Sequence, residues 1–208
     1  QHEVLLVGDT DFITQQWIQH AFPRDHVVIA EREGTVGGNE RLRIVNMSGA
    51  NTLAETLTTY EFDRIVFFSE NLTPRSDRDG DLGTLRRFLH AIRNRQTQML
   101  MVSGPESKFT YPENADVRDT SKSLMSRASE ELCLYYARTY RLEAKIIRSP
   151  YLYASDRNGV TAYFNHLFEQ AESGTLSFCE QKNQQTCFLC ADDLAELIYR
   201  MFDDWTAE

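Results

Sequence analysis

The feature that most constrains this chain is the recurrence of short, continuous apolar runs between segments of helical periodicity. Val4-Leu5-Leu6-Val7, His26-Val27-Val28-Ile29-Ala30, Leu42-Arg43-Ile44-Val45, Arg64-Ile65-Val66-Phe67-Phe68, Met99-Leu100-Met101-Val102 and Ala144-Lys145-Ile146-Ile147 read as strands. Between them, Asp11–Ala21, Asn51–Thr59, Leu82–Arg93 and Lys122–Tyr140 read as helices, with Leu82, Leu85, Leu89 and Ile92 at helical spacing. A strand that is apolar on both faces must be buried on both. The alternation therefore specifies an α/β fold, a doubly wound parallel sheet with helices on each side. The remaining segment is expected to hold helix Val160–Glu172, strands Thr175–Cys179 and Thr186–Cys190, and a closing helix Asp192–Asp204. Residues 1–150 are thus expected to form the core, with 151–208 as a small C-terminal segment packed on it. Glu33–Arg41, with three glycines, is the expected flexible loop.

The first unit refines the fold. Val4–Val7 leads into Gly8, then a helix, then a strand ending on Glu31, which is the strand–turn–helix–strand–acid order of a Rossmann unit. A phosphate-cradling loop of this kind uses three glycines, whereas this chain has Gly8, Asp11 and Thr14. The second glycine lets backbone approach a pyrophosphate, and the third lets helix and strand pack closely. Asp11 places a carboxylate near that site, and a like charge about 4 Å away at an effective dielectric of about 20 costs about 4 kcal/mol. That is roughly a thousandfold in affinity. Asp11 reads as a helix N-terminal acid favoured by the helix dipole rather than as a ligand-binding residue. Glu31 and Arg32 stand where an acid would hold an adenosine ribose, or simply end a strand in polar residues.

Composition bounds the function. Of 208 residues, 41% are hydrophobic and 25% charged, so the chain is globular rather than disordered. A net charge of −9 disfavours nucleic acid and anionic membranes as partners. No apolar run approaches the ~18 residues of a membrane span, and a cytoplasmic protein is expected. The chain opens on Gln1 rather than Met and stops at Trp205-Thr206-Ala207-Glu208, which suggests a piece of a larger protein.

The order of these segments resembles the extended short-chain dehydrogenase/reductases, in particular the NAD-dependent epimerase/dehydratases acting on nucleotide-sugars. Gly8-Asp9-Thr10-Asp11-Phe12-Ile13-Thr14 stands where that family writes a glycine-rich turn ending in Phe-Ile-Gly. Phe62–Phe67 is similar to its fourth strand, Gly83-Thr84-Leu85 to its "GT" helix start, and Glu130-Glu131-Leu132 through Tyr140 to its catalytic helix. Ile146-Ile147-Arg148-Ser149-Pro150-Tyr151 resembles its sixth strand, and Phe188–Ala195 its "hVDDlA" segment. The resemblance implies a Rossmann-like core, a truncated substrate-lobe segment, and a homodimer through helices 82–93 and 122–140.

It also implies a tyrosine that exchanges a proton and a lysine four residues later that lowers the phenol pKa. None of the nine tyrosines has a lysine at +4. Anchored on Glu130 or Glu131, the tyrosine position falls on Lys122 or Ser123 and the lysine position on Ser126 or Arg127. The partner serine is displaced, since Gly104 or Pro105 takes its place and Ser103 comes early. No catalytic residue is therefore assigned, and ordinary NAD binding is not expected, although NAD(H) or another nucleotide could enter an altered cleft. Its remnant would comprise Gly8, Asp11, Phe12, Ile13, Glu31, Arg32, Ser69 and Ser103. The expected role is a ligand-sensing or protein-interaction module, regulating an attached output domain. The alternative is a divergent nucleotide-sugar epimerase or dehydratase whose proton is supplied by Tyr111 or Tyr151.

Other constellations carry less. His2, His20, His26, His90 and His166 lack metal-ligand spacing, and no metal is expected. Asp77, Asp79 and Asp81 open like a calcium loop, but Phe88 stands where the closing glutamate belongs. Cys187 and Cys190 form a CxxC on an expected strand, where i and i+3 face opposite ways, so core packing is expected of both. Arg75, Arg78, Arg86, Arg87, Arg93 and Arg95 form a basic stretch that reads as a solvated helix face or as a site for an anionic partner.

Overall fold

The computed structural model describes residues 1–8, 12–31, 38–39, 41–46, 56–57, 59–69, 82–104, 117–153, 169–175 and 187–206. Its strands are β1 (Glu3–Gly8), β2 (His26–Glu31), β3 (Gly38–Asn39), β4 (Leu42–Asn46), β5 (Arg64–Phe68), β6 (Gln98–Ser103), β7 (Glu143–Arg148), β8 (Tyr151–Tyr153) and β9 (Phe188–Cys190). The helices are α1 (Gln15–Ala21), α2 (Leu82–Ile92), α3 (Val117–Tyr140) and α4 (Ala191–Asp203).

Strands β4, β2, β1, β5, β6 and β7 lie side by side and all parallel, and β3 adds antiparallel to β4 at the edge. Side chains alternate across a strand, and in β1 the two sets enter two different cores. Val4 and Leu6 pack with Trp17, Ile18, Leu194, Ile198 and Phe202 under α1 and α4. Leu5 and Val7 pack with Leu85, Phe88, Ile92 and Cys133 under α2 and α3. Helices thus cover both faces of the expected doubly wound sheet.

Helix α4 begins directly after β9. Its buried residues Ala191, Leu194, Ala195, Ile198 and Phe202 recur at three- and four-residue spacing, and Asp192 and Asp193 suit its N-terminal dipole. The buried Trp17 indole N–H donates to the Ala191 carbonyl at 2.7 Å, tying α4 to α1. Among the described residues no helix is long and apolar enough to cross a membrane.

Several boundaries differ from expectation. Helix α1 starts at Gln15 rather than Asp11, because Thr14 is extended and its hydroxyl caps the helix by accepting the Trp17 N–H at 3.1 Å. Within the expected loop Glu33–Arg41, Gly38–Asn39 forms an edge strand on Leu42–Arg43. Strand β7 is half-buried rather than fully buried, since among the described strands it pairs with β6 alone, at the edge of the sheet. Helix α3 begins at Val117, five residues before the expected Lys122. Strand β9 is three residues long and pairs parallel with β8 in a separate two-stranded sheet. Residues 169–172 of the expected helix Val160–Glu172 are helical. Most of the expected helix Asn51–Thr59 and strand Thr175–Cys179 lie outside the described residues.

Candidate functional site

Strand order reverses at β1, which leads one way to β2 and β4 and the other way to β5, β6 and β7. Connections leave such a switch point in opposite directions, opening a crevice at the carboxyl ends of the central strands. Gly8, Phe68 and Ser103 end β1, β5 and β6 at that edge.

Gly8 is placed there by need. It pairs with Phe68 in parallel register and has φ +111°, a conformation that side-chain-bearing L-residues rarely adopt. A Cβ on Gly8 would lie 2.0 Å from the Phe68 carbonyl oxygen, so backbone fills the space where any side chain would go.

Two hydroxyls stand beside this turn without partners. The Ser69 N–H donates to the Val102 carbonyl at 2.9 Å, and the Ser103 carbonyl accepts the Ser149 N–H at 2.8 Å. Both backbones are thereby pinned, yet both buried Oγ atoms make no hydrogen bond. An unsatisfied buried hydroxyl costs about 1–3 kcal/mol, and a polar ligand group reaching these atoms would remove that cost. A glycine-only turn and two unmet hydroxyls at a switch point fit a dinucleotide.

Other cleft residues are divided. Phe12 is buried, edge-on to Trp17 at 5.7 Å and to Phe68 at 5.2 Å, and so braces the turn from within the core. Ile13 is half-buried against the same cluster. Glu31 ends β2 opposite Asn46 of β4. Asp11 and Arg32 lie outside the described residues, as does Tyr111.

On α3, Ser123, Ser126, Glu130 and Cys133 are buried, whereas Arg127 and Glu131 are exposed. Of the two alignments open in the sequence, the one anchored on Glu130 turns Ser126 toward the sheet; the other leaves Arg127 in solvent. The Glu130 carboxylate, 4% exposed, accepts from Arg148 Nε at 3.0 and 3.1 Å and from Nη2 at 2.7 Å. Arg148 is half-exposed at the end of β7, and this pairing raises its pKa further. Burial, with the Glu130 charge adding, pushes the Cys133 thiol up to about 12. Sequence reading missed the Glu130–Arg148 pair. Its signal was a glutamate in register with small buried residues, i+4 from Ser126 and i−3 from Cys133.

Cys187 is exposed and Cys190 half-buried, so the expectation that both pack in the core fails for Cys187. Strand β9 begins one residue after it, and alternation fixes facing only within a strand. Among the described residues no three His, Cys, Asp or Glu side chains converge as a metal set. Three of the described histidines make local contacts instead: His26 Nδ1 meets Glu3 at 2.7 Å, His2 Nδ1 meets Asp63 at 3.6 Å and His20 Nε2 meets Glu196 at 3.8 Å. Of the basic stretch, Arg86 and Arg87 are exposed, while Arg95 donates to the Leu57 and Tyr60 carbonyls. Arg75 and Arg78 lie outside the described residues.

Fold and crevice together define a Rossmann-type α/β domain. Residues 4–207 match the model of the NAD dependent epimerase/dehydratase family, and the chain belongs to that family. It is similar in structure to dTDP-glucose 4,6-dehydratase from Bacillus anthracis str. Ames, solved in complex with NAD, at TM-score 0.74 and 14% identity over 100% of this chain and 73% of that one. UDP-glucuronic acid 4-epimerase from Bacillus cereus, in complex with NAD, aligns at TM-score 0.72 and 16% identity over 93% and 70%. UDP-N-acetylglucosamine 4-epimerase from Bacillus cereus aligns at TM-score 0.66 and 17% identity over 98% and 72%. Comparison with curated protein sequences gives no match.

Proposed function

We propose that this chain binds an NAD-type dinucleotide across the β1/β5 crevice and acts on a nucleotide-sugar, with proton transfer moved away from a Tyr-x-x-x-Lys pair. The observation that carries this reading is the Gly8 turn, where φ +111° and the Phe68 carbonyl leave room for backbone alone. Gly8 would bring the backbone close to the pyrophosphate, Glu31 would hold ribose hydroxyls, and Ser69 and Ser103 would supply buried hydroxyls to the polar groups of the ligand. A bound nicotinamide would supply hydride transfer. The structural neighbours support a nucleotide ligand, because UDP-glucuronic acid 4-epimerase was solved with both UDP-glucuronic acid and NAD. For the proton, Tyr151 is the candidate tyrosine that lies among the described residues. It follows Arg148 by three residues, and the Ser149–Ser103 bond fixes that turn at the carboxyl edge.

A second reading is a ligand-sensing or interaction module that binds nucleotide without turnover and regulates an attached domain. Ser126 on the buried face of α3 favours it, since a hydroxyl cannot replace an ammonium in lowering a phenol pKa.

Incubation with NAD and, in turn, UDP-glucuronic acid, UDP-N-acetylglucosamine and dTDP-glucose, followed by proton NMR of the sugar, separates these readings. Turnover lost in Tyr151→Phe supports the first. Saturable NAD binding without turnover supports the second. Calorimetric silence toward NAD(H), NADP(H) and all three sugars contradicts both.

A further inference from the structure

A groove of about 450 Å³ runs along α1 beside β4, within the range of about 300–1,000 Å³ found for small-molecule sites. Its floor is apolar. Ile18 and Phe22, four residues apart at the end of α1, meet Leu42, the first residue of β4, and all three are buried. Gln15 and Gln19, also four apart, line the groove from exposed positions on the same helix. Residues so spaced share one helix face, so the apolar floor and both carboxamides meet the same space. The groove is separate from the β1/β5 crevice. Leu42 opens β4 and Asp25 precedes β2, whereas Glu31 closes β2 at the carboxyl edge. The rise from His26 to Glu31, at about 3.3 Å per residue, sets the two edges roughly 16 Å apart.

Charge and hydrogen bonding select the occupant. The lining holds one acid and one base, Asp25 and Arg41, and both are engaged. The Asp25 carboxylate accepts the His2 N–H at 2.9 Å and lies 3.5 Å from Arg64 Nη1. Arg41 Nη2 donates to the Pro23 carbonyl at 2.7 Å, beside those of Phe22 and Asp25 at 3.4 Å. These charges offset each other, and the net −9 of the chain disfavours a strongly anionic ligand. Each carboxamide presents a donor and an acceptor side by side. The matching ligand is a flat, uncharged ring with an apolar face and a donor beside an acceptor on its edge. Glutamine makes this bidentate pairing with the N6/N7 edge of adenine. We propose that the groove binds an adenine nucleoside, its base on Ile18, Phe22 and Leu42 and its polar edge paired with the carboxamides of Gln15 and Gln19. Adenosine is also one end of NAD, so the test must tell groove from crevice.

The experiment titrates the ¹⁵N-labelled full chain with adenosine and follows the side-chain amide resonances of Gln15 and Gln19 and the backbone amide of Leu42. The expected result is saturable shifts at these groups, with Kd below about 1 mM. Purine riboside, which keeps the ring but lacks the exocyclic amino donor, should bind several-fold more weakly. Adenosine monophosphate should bind no tighter than adenosine. Gln15→Leu with Gln19→Leu removes both carboxamides at similar volume and should raise Kd about tenfold or more. Gln16→Leu, exposed on α1 outside the groove lining, should leave Kd unchanged. Circular dichroism checks the fold of each variant, and Gln19→Leu alone stands as the second probe if the double variant unfolds. Absence of saturable shifts, shifts confined to the amides of Gly8, Ser69 and Ser103, equal binding of purine riboside, tighter binding of the monophosphate, or equal loss in Gln16→Leu would overturn the proposal.

Discussion

Replacing Gly8 by alanine sets a methyl group against the backbone of the neighbouring strand. At φ +111° the new Cβ lies 2.0 Å from the Phe68 carbonyl oxygen and 3.0 Å from its carbon, more than 1 Å inside ordinary contact at the oxygen. Phe68 is the ladder partner of Gly8 and fully buried, so it cannot turn away; the ends of β1 and β5 must part. Forcing an L-residue into this conformation costs about 1–3 kcal/mol. Losing one or two ladder hydrogen bonds adds about 0.5–1.5 kcal/mol each. The lower entropy of the unfolded alanine chain returns about 0.4–1 kcal/mol. The net loss is about 2–4 kcal/mol, which for a chain of this size lowers Tm by roughly 5–15 °C. Scanning calorimetry measures it directly. Gly174→Ala is the internal control, because Gly174 has φ +68° but no atom within 4 Å of the position its methyl would take, leaving only the backbone cost. A Gly8→Ala protein that melts no lower than Gly174→Ala would refute the reasoning.

Further outcomes follow from the buried polar groups. Arg148→Met should destabilise by about 2–4 kcal/mol in urea unfolding, below the range for fully buried pairs because Arg148 is half-exposed. Arg148→Met with Glu130→Gln should recover much of that loss; no recovery would mean that packing rather than the stranded carboxylate dominates. Trp17→Phe, which removes the indole hydrogen bond to the Ala191 carbonyl while the helix bond to that carbonyl remains, should cost about 0.5–1.5 kcal/mol. Cys133 contributes to the alkaline loss of stability: unfolded, the thiol ionises near the ordinary 9.0, whereas folded it holds its proton to about 12. Its contribution to stability is therefore complete below pH 9 and is lost as pH rises toward 12, and Cys133→Ala should flatten that decline. A thiol reagent at pH 8 should modify Cys187 rapidly and Cys133 only on unfolding; prompt reaction of Cys133 would contradict its burial.

The central fold was legible because β1, β5 and β6 are apolar on both faces, and only a sheet covered twice can bury them. Topology decided what composition left open. Strand β7 places Lys145 among its apolar residues and lies at the edge of the described sheet, so both its own sequence and its neighbours leave it half-buried. The start of α1 hung on one hydroxyl, that of Thr14, reaching the Trp17 N–H, a cap that helical periodicity does not register. At the site, Gly8 was readable from its place between strand and helix, and its contact with Phe68 was not. Phe12 lay in the expected cleft by spacing, yet its ring fills the core instead. The unmet hydroxyls of Ser69 and Ser103 depend on which strands end side by side, and that is fixed only by the crossover order.

Hydrogen exchange with and without NAD tests the account most directly. Saturating NAD should slow exchange at the amides of Gly8, Phe12 and Ile13 and at those of Ser69 and Ser103, leaving the α2–α3 face unchanged. Tight binding with protection confined to other segments, or no change anywhere at millimolar NAD, would contradict a dinucleotide site at the β1/β5 crevice.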